Sequence, residues 1–102
     1  MKQQEQDSGT SQLLRNDAQH RYELRLGDEL AAKAEYREQD GAVCFTHTEV
    51  DERYEGQGFG SKLAAFALDD VKSRGMKALP QCKFIAAYIA RHEKEYAGLI
   101  AR

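Results

Sequence analysis

Between Tyr54 and Leu63 the chain reads YEGQGFGSKL, with glycines at 56, 58 and 60 and an apolar-periodic stretch immediately after. Three glycines in five positions are costly to order. Each implies backbone that must take a positive φ or lie close to another group. Upstream, apolar residues repeat with a period of two; downstream, they repeat at helical spacing. The fold therefore has to lead a strand through bare backbone straight into a helix. That step puts free main-chain N–H groups at the positive end of a helix dipole.

The rest of the pattern sets what surrounds this step. Tyr22, Leu24 and Leu26 alternate with charged residues, as in a half-buried strand. Gly27-Asp28-Glu29 makes a turn, and Leu30, Ala32, Ala34 and Tyr36 repeat the alternation. The alanines and good helix formers leave a helix open for this second segment. Asp40-Gly41 is a hairpin signal, because both residues tolerate positive φ, and a third strand is expected over 42–50. After the glycines, Leu63, Phe66, Ala67, Asp70 and Val71 fall at helical spacing, with Asp70 at the edge of the stripe. Gly75 is well placed to end that helix. Residues 76–80 read as a short buried strand stopped by Pro80. Phe84, Ile85, Tyr88, Ile89 and His92 mark a second helix starting near Cys82, and residues 95–102 are expected to add one further turn. The order is β-β-β-loop-α-β-α. It gives an antiparallel meander, then a βαβ crossover that is right-handed and leaves the last two strands parallel. This is an α+β fold.

A chain of 102 residues suits one domain with a modest core. Residues 1–19 are polar, with only Leu13 and Leu14 strongly apolar. They are expected to form a disordered tail ahead of a domain over 20–102. The N-terminal stretch lacks the apolar core of a signal peptide, and no run approaches the ~20 apolar residues that cross a bilayer. The expected location is cytoplasmic, with no membrane partner. A formal net charge of −2 gives no bulk attraction for nucleic acid. Cys44 and Cys82 are too few for a disulfide framework and lack metal-ligand spacing. Both are expected as free thiols, and no metal is expected.

A strand, glycines and a helix start together form a phosphate cradle. The dinucleotide fingerprint needs a third glycine where Ser61 stands, and the Gly-Lys-Ser/Thr ending of a P-loop is absent. The pattern [Arg/Gln]-x-x-Gly-x-[Gly/Ala] is nearly met over residues 55–60. That pattern is the acetyl-CoA loop of the GNAT superfamily of N-acetyltransferases. HTEV at 47–50, GQGFGSKL at 56–63 and PQCKFIAAYIARHEKEY at 80–96 together resemble the small, single-domain GNAT-like proteins. The resemblance covers roughly residues 20–100. It implies acetyl-CoA or CoA as the bound thioester carrier, a GNAT-like fold stripped of its first helices, and a cysteine near the acetyl group. An acetyl-cysteine intermediate has been proposed for such proteins. Glu55 departs from the loop pattern, where Arg or Gln stands. It is expected to point to solvent, because the phosphate donors are backbone N–H groups at 57–61.

The candidate cofactor-binding residues are thus Gly56, Gln57, Gly58, Phe59, Gly60, Ser61 and Lys62, with Lys62 supplying charge to phosphate. Thr48, Glu49 and Val50 join them, because the likeness implies that the pantetheine arm pairs with exposed strand backbone there. Cys82 falls at or just before a helix N-terminus, where a thiolate is favoured. It could take the acetyl group and pass it on, or merely line the site while an amine attacks directly. A free cysteine can also be a small buried hydrophobe, which is the reading for Cys44.

His47 shares a strand face with Glu49, while Thr48 and Val50 share the other. His47 is a candidate general base, set against the more ordinary role of a hydrogen-bonded strand histidine. Tyr88 is read as core packing, since the Asn-x-x-Ala-x-x-x-Tyr spacing that many GNAT enzymes use is missing. Arg91, His92 and Lys94 read as cations matched to a helix C-terminus ahead of a role on the adenosine 3′-phosphate.

The expected function is N-acetyl transfer from acetyl-CoA to an amine. A domain this short has little material for an acceptor pocket. That points to a protein or other macromolecular acceptor, and to a monomer or weak homodimer. One rival is a non-catalytic acyl-CoA-binding or sensing module. Another is an interaction domain whose loop binds no nucleotide.

Overall fold

The structure, a computed structural model, describes residues 11–101. Its elements are β1 (Gln12–Asn16), β2 (Arg21–Leu26), β3 (Glu29–Gln39), β4 (Ala42–Val50), α1 (Phe59–Ser73), β5 (Lys77–Pro80), α2 (Lys83–Arg91) and α3 (Glu93–Tyr96). The strands make one mixed sheet in the order β1-β2-β3-β4-β5. β1 to β4 are antiparallel and β4-β5 is the one parallel pair.

Local chemistry places the junctions. Asp40 and Gly41 both take positive φ, 52° and 79°, so a two-residue primed turn joins β3 to β4. α1 ends in a Schellman motif: Gly75 at φ 71° donates to Lys72 O, and Met76 N–H donates to Val71 O. The segment left open between helix and strand is a strand of eleven residues. Its small residues explain the outcome: Ala32 and Ala34 are buried on the side where α1 packs, as are Ala64 and Ala67 of the helix. Alanine here allows close helix-on-sheet approach.

One expectation fails. Residues 12–16, placed in the tail by their polarity, form β1 and pair with β2 from Gln12↔Arg25 to Asn16↔Arg21. Leu13 packs against the core. Arg15 Nη1 donates to Asp70 Oδ2 of α1 at 2.7 Å, and Tyr22 Oη donates to the same oxygen at 2.8 Å. The polar residue at the edge of the helical stripe is therefore the anchor for the extra strand. Residues 1–10 of the expected tail lie outside the described residues.

α1 and α2 pack on one side of the sheet over Tyr22, Leu24, Val43, Phe45, Leu63, Leu68, Val71 and Ile85, all fully buried. The opposite face carries charges in ladders: Lys33 lies 3.0 Å from Glu35, and Arg21, Arg25 and Asn16 all donate to Glu23. Beyond α3, Ile100 bridges Ala78 and Ala101 N–H donates to Ala78 O, which covers the outer edge of β5. No helix among the described residues is long and apolar enough to cross a membrane.

Candidate functional site

The unequal lengths of the parallel pair create the site. β5 stops at Pro80, opposite Phe45, while β4 runs on to Val50. Phe45 O accepts both Gln81 N–H at 3.0 Å and Cys82 N–H at 2.9 Å, which turns the chain away into α2. From Thr46 to Val50, β4 therefore has β3 on one side and no strand on the other. Asp51 N–H points to β3, donating to Ala31 O at 2.8 Å. Strand alternation then aims the N–H and C=O of Val50 and Thr48 at the open side. Glu49 turns its backbone toward β3 and its carboxylate onto the charged face.

The bare backbone after β4 follows. Asp51 caps a short 3-10 turn over Glu52–Tyr54 by accepting from Arg53 N–H, and this leads into the glycines. Gly56 and Gly58 sit at φ 86° and 79°, with open space where a side chain would be. Gly58 is the N-cap of α1 and brings no capping side chain. The first intrahelical bond is Lys62 N–H onto Gly58 O at 3.0 Å. The N–H groups of Phe59, Gly60 and Ser61 are thus left without intrahelical acceptors at the positive end of a fifteen-residue helix.

Gly60 serves a different need. A Cβ there would lie 2.7 Å from Phe84 Cζ and 3.3 Å from Val50 Cγ2. It is the point where α1, α2 and β4 meet. Two glycines shape the turn and the third lets the helix in.

Together these parts border a cleft of about 380 Å³, within the range of small-molecule sites. Thr48 and Val50 form one wall, the loop from Glu55 to Ser61 another, and the rings of Tyr54, Phe59 and Phe84 the rest. Cys82 is the N-cap residue of α2 and is buried; its S–H donates to Thr48 Oγ1 at 3.1 Å. The thiol thus lies against the cleft wall at the fork between β4 and β5.

The sequence-predicted residues divide accordingly. Thr48, Val50, Gly56, Gly58, Phe59, Gly60, Ser61 and Cys82 come together, and Glu55 is exposed at the mouth. Gln57 is exposed in the loop. The Lys62 ammonium lies 6.0 Å from the centre of the Phe59 ring. His47 does not meet Cys82: it is half exposed on the charged face, with Nε2 4.0 Å from Glu49. Tyr88 stacks on His92 with ring centres 4.1 Å apart, and His92 closes α2 at the end away from Cys82. Cys44 is buried, and its nearest polar partner is Arg37 Nη2 at 4.0 Å. The aromatic walls Tyr54 and Phe84 were missed. Phe84 was visible only as part of a helical stripe, and nothing in the spacing pointed it at Gly60. Among the described residues no cluster of three or more His, Cys, Asp or Glu side chains could hold a metal ion.

A family model described as GCN5-related N-acetyl-transferase matches residues 21–99. The chain belongs to this family. No curated protein gives a significant match. Membership of this N-acetyltransferase family accounts for the mixed sheet with a single parallel pair, and it assigns the chain to acetyl transfer as a class. The glycine loop and the fork between β4 and β5 both fall within the matched residues.

Proposed function

We propose that the protein transfers an acetyl group from acetyl-CoA to an amine, with Cys82 at the reacting end of the cleft. One observation carries this reading: the cradle of orphan N–H groups and the open edge of β4 belong to a single continuous cleft that ends beside a thiol. The N–H groups of residues 57–61 donate to the diphosphate oxygens, where a helix start and two positive-φ glycines favour an anion. Lys62 adds charge from the first turn of α1. Thr48 and Val50 offer main-chain N–H and C=O to the pantetheine amides, in the manner of an added strand. The aromatic walls exclude water around the arm.

At the fork, the Cys82 thiol meets the thioester. In the covalent route Sγ bonds to the acetyl carbon, the carbon–sulfur bond to CoA breaks, and the Cys82 proton ends on the CoA sulfur. The acceptor amine then attacks the acetyl-cysteine: a carbon–nitrogen bond forms, the carbon–Sγ bond breaks, and the proton lost by the amine restores the Cys82 thiol. His47 stands on the charged face, across the sheet from the Cys82 thiol, so it can serve as a base only for an amine that approaches from that side. The acceptor in this reading is a group on a protein or other macromolecule. The protein acts in the cytoplasm as a monomer or weak homodimer.

Incubation with labelled acetyl-CoA, followed by mass spectrometry, tests the route. The expected result is a gain of one acetyl group on the Cys82 peptide of the wild type and none with Cys82→Ala or Cys82→Ser. CoA binding measured separately should persist in both variants. If acetylated amine product forms equally well in all three proteins, the thiol only lines the site. If CoA binds but no transfer occurs to any amine tested, the acyl-CoA-binding reading stands instead.

A further inference from the structure

The N-cap position of α2 holds a side chain that does not cap. Cys82 makes no side-chain bond to the first-turn N–H groups of its own helix. Its S–H goes instead across the fork to Thr48 Oγ1 at 3.1 Å, 34 residues earlier in the chain. Thr48 stands on β4 and lines the cleft, whereas Cys82 is 8 % exposed and reaches the cleft only at this contact. Two backbone ties, Gln81 and Cys82 N–H onto Phe45 O, fix the start of α2 against the same strand. The thiol therefore has one side-chain partner, held by rigid elements on both sides.

We propose that Thr48 is a positioning residue: its hydroxyl aims Cys82 Sγ at the arm of the bound thioester and holds the sulfur in both of its protonation states. This rests on the acetyl-transfer reading of the same cleft. A hydroxyl suits the task because it can accept from S–H and, after rotation, donate O–H to S⁻. The bond to the charged sulfur is the stronger of the two. Other titratable groups sit on the elements around Cys82. Lys83 on α2 is exposed; His47 and Glu49 on β4 face the opposite side of the sheet; Lys62 on α1, and Tyr54 and Glu55 at the mouth, lie toward the loop. None of them hydrogen-bonds the thiol among the described residues.

The test is the rate of iodoacetamide alkylation of the Cys82 peptide against pH, read by mass spectrometry, for the wild type, Thr48→Val and Thr48→Ser. Valine keeps the shape and removes the hydroxyl; serine keeps the hydroxyl and removes a methyl. In Thr48→Val the pH midpoint should move up and the rate at pH 7 should fall about tenfold, while Thr48→Ser should restore the wild-type profile. Circular dichroism melts of all three report folding independently. An unchanged midpoint in a folded Thr48→Val protein would overturn the proposal, as would a Thr48→Ser profile that follows valine. Thermal stabilisation of the wild type by CoA is measured alongside. Its absence would sink the acetyl-CoA reading while leaving the alkylation result to decide the role of Thr48.

Discussion

At Gly58 and Gly60 the same residue type answers two different physical demands. Gly58 takes φ 79° with open space where a Cβ would point, so its constraint is purely conformational. Alanine there meets no neighbour but must hold a left-handed backbone, at a cost of about 1–2 kcal/mol. Gly60 has ordinary helical backbone, and its constraint is steric: the tip of the Phe84 ring would be 2.7 Å from an added Cβ. Alanine gains about 1 kcal/mol of helix propensity there, while the half-buried ring must swing aside. Gly58→Ala should therefore lower stability by about 1 kcal/mol in urea unfolding. Gly60→Ala should stay within about 1 kcal/mol of wild type in the same assay yet bind CoA about tenfold more weakly in calorimetry, since the displaced ring is a wall of the cleft. Equal losses in both assays for both variants would remove the distinction.

On the scale of elements, β1 is held by side chains far away in the chain. Asp70 of α1 accepts from Arg15 and from the fully buried Tyr22, and Arg74 Nη1 lies 3.6 Å away. Asp70→Ala leaves the buried Tyr22 hydroxyl and Arg15 Nη1 without their acceptor and removes a charge 3.6 Å from Arg74, while Arg15 keeps Asp17 and Arg74 keeps Glu38. It should cost about 2–3 kcal/mol, measured by urea unfolding, and amide exchange should speed up first in β1. Tyr22→Phe in the Asp70→Ala background should recover part of the loss, because one orphan donor is gone.

Glu23 is a second such case on the charged face of β2. Burial alone would push its carboxyl up, but the bonds from Arg21, Asn16 and Arg25 outweigh this and hold it below the usual value of 4.5. A carboxyl depressed in the folded state adds stability that is present above about pH 4.5 and lost as pH falls through the folded value. Glu23→Gln should be less stable at pH 7 and should lose less of its stability in acid than wild type.

These two carboxylates also mark where sequence reading ran out. The glycine loop, the turn at Asp40-Gly41 and the stop at Gly75 were legible because each is a local backbone requirement written in local residues. β1 was not, because Leu13 is its only apolar contribution visible in the core, and its polar anchor lies 55 positions away. Glu23 looks like the solvent side of an alternating strand, yet three neighbours bury it. The cleft was half legible: its donors follow from period and glycine, whereas the approach of Phe84 to Gly60 and the bond between Cys82 and Thr48 depend on how α2 lands on β4.

For the whole molecule, the decisive property is that a ligand can use one side of the fork without disturbing the rest. β1 to β3 and the charged face contribute nothing to the cleft walls, which come from β4, the loop, α1 and α2. A carrier that fills the fork in place of a longer β5 ties α1 and α2 to β4 through contacts the free protein lacks. At a concentration one hundred times its dissociation constant, CoA should raise unfolding free energy by about 2.7 kcal/mol. Hydrogen exchange should resolve where that energy acts. Added protection is expected at the amides of residues 57–61 and at Thr48 and Val50, whose N–H groups face the open side. Glu49 and the amides of β2, already paired within the sheet, should slow only by the global amount. Protection confined to the charged face, or a stabilisation that leaves residues 57–61 exchanging as before, would mean that CoA binds elsewhere and that the cradle holds something else.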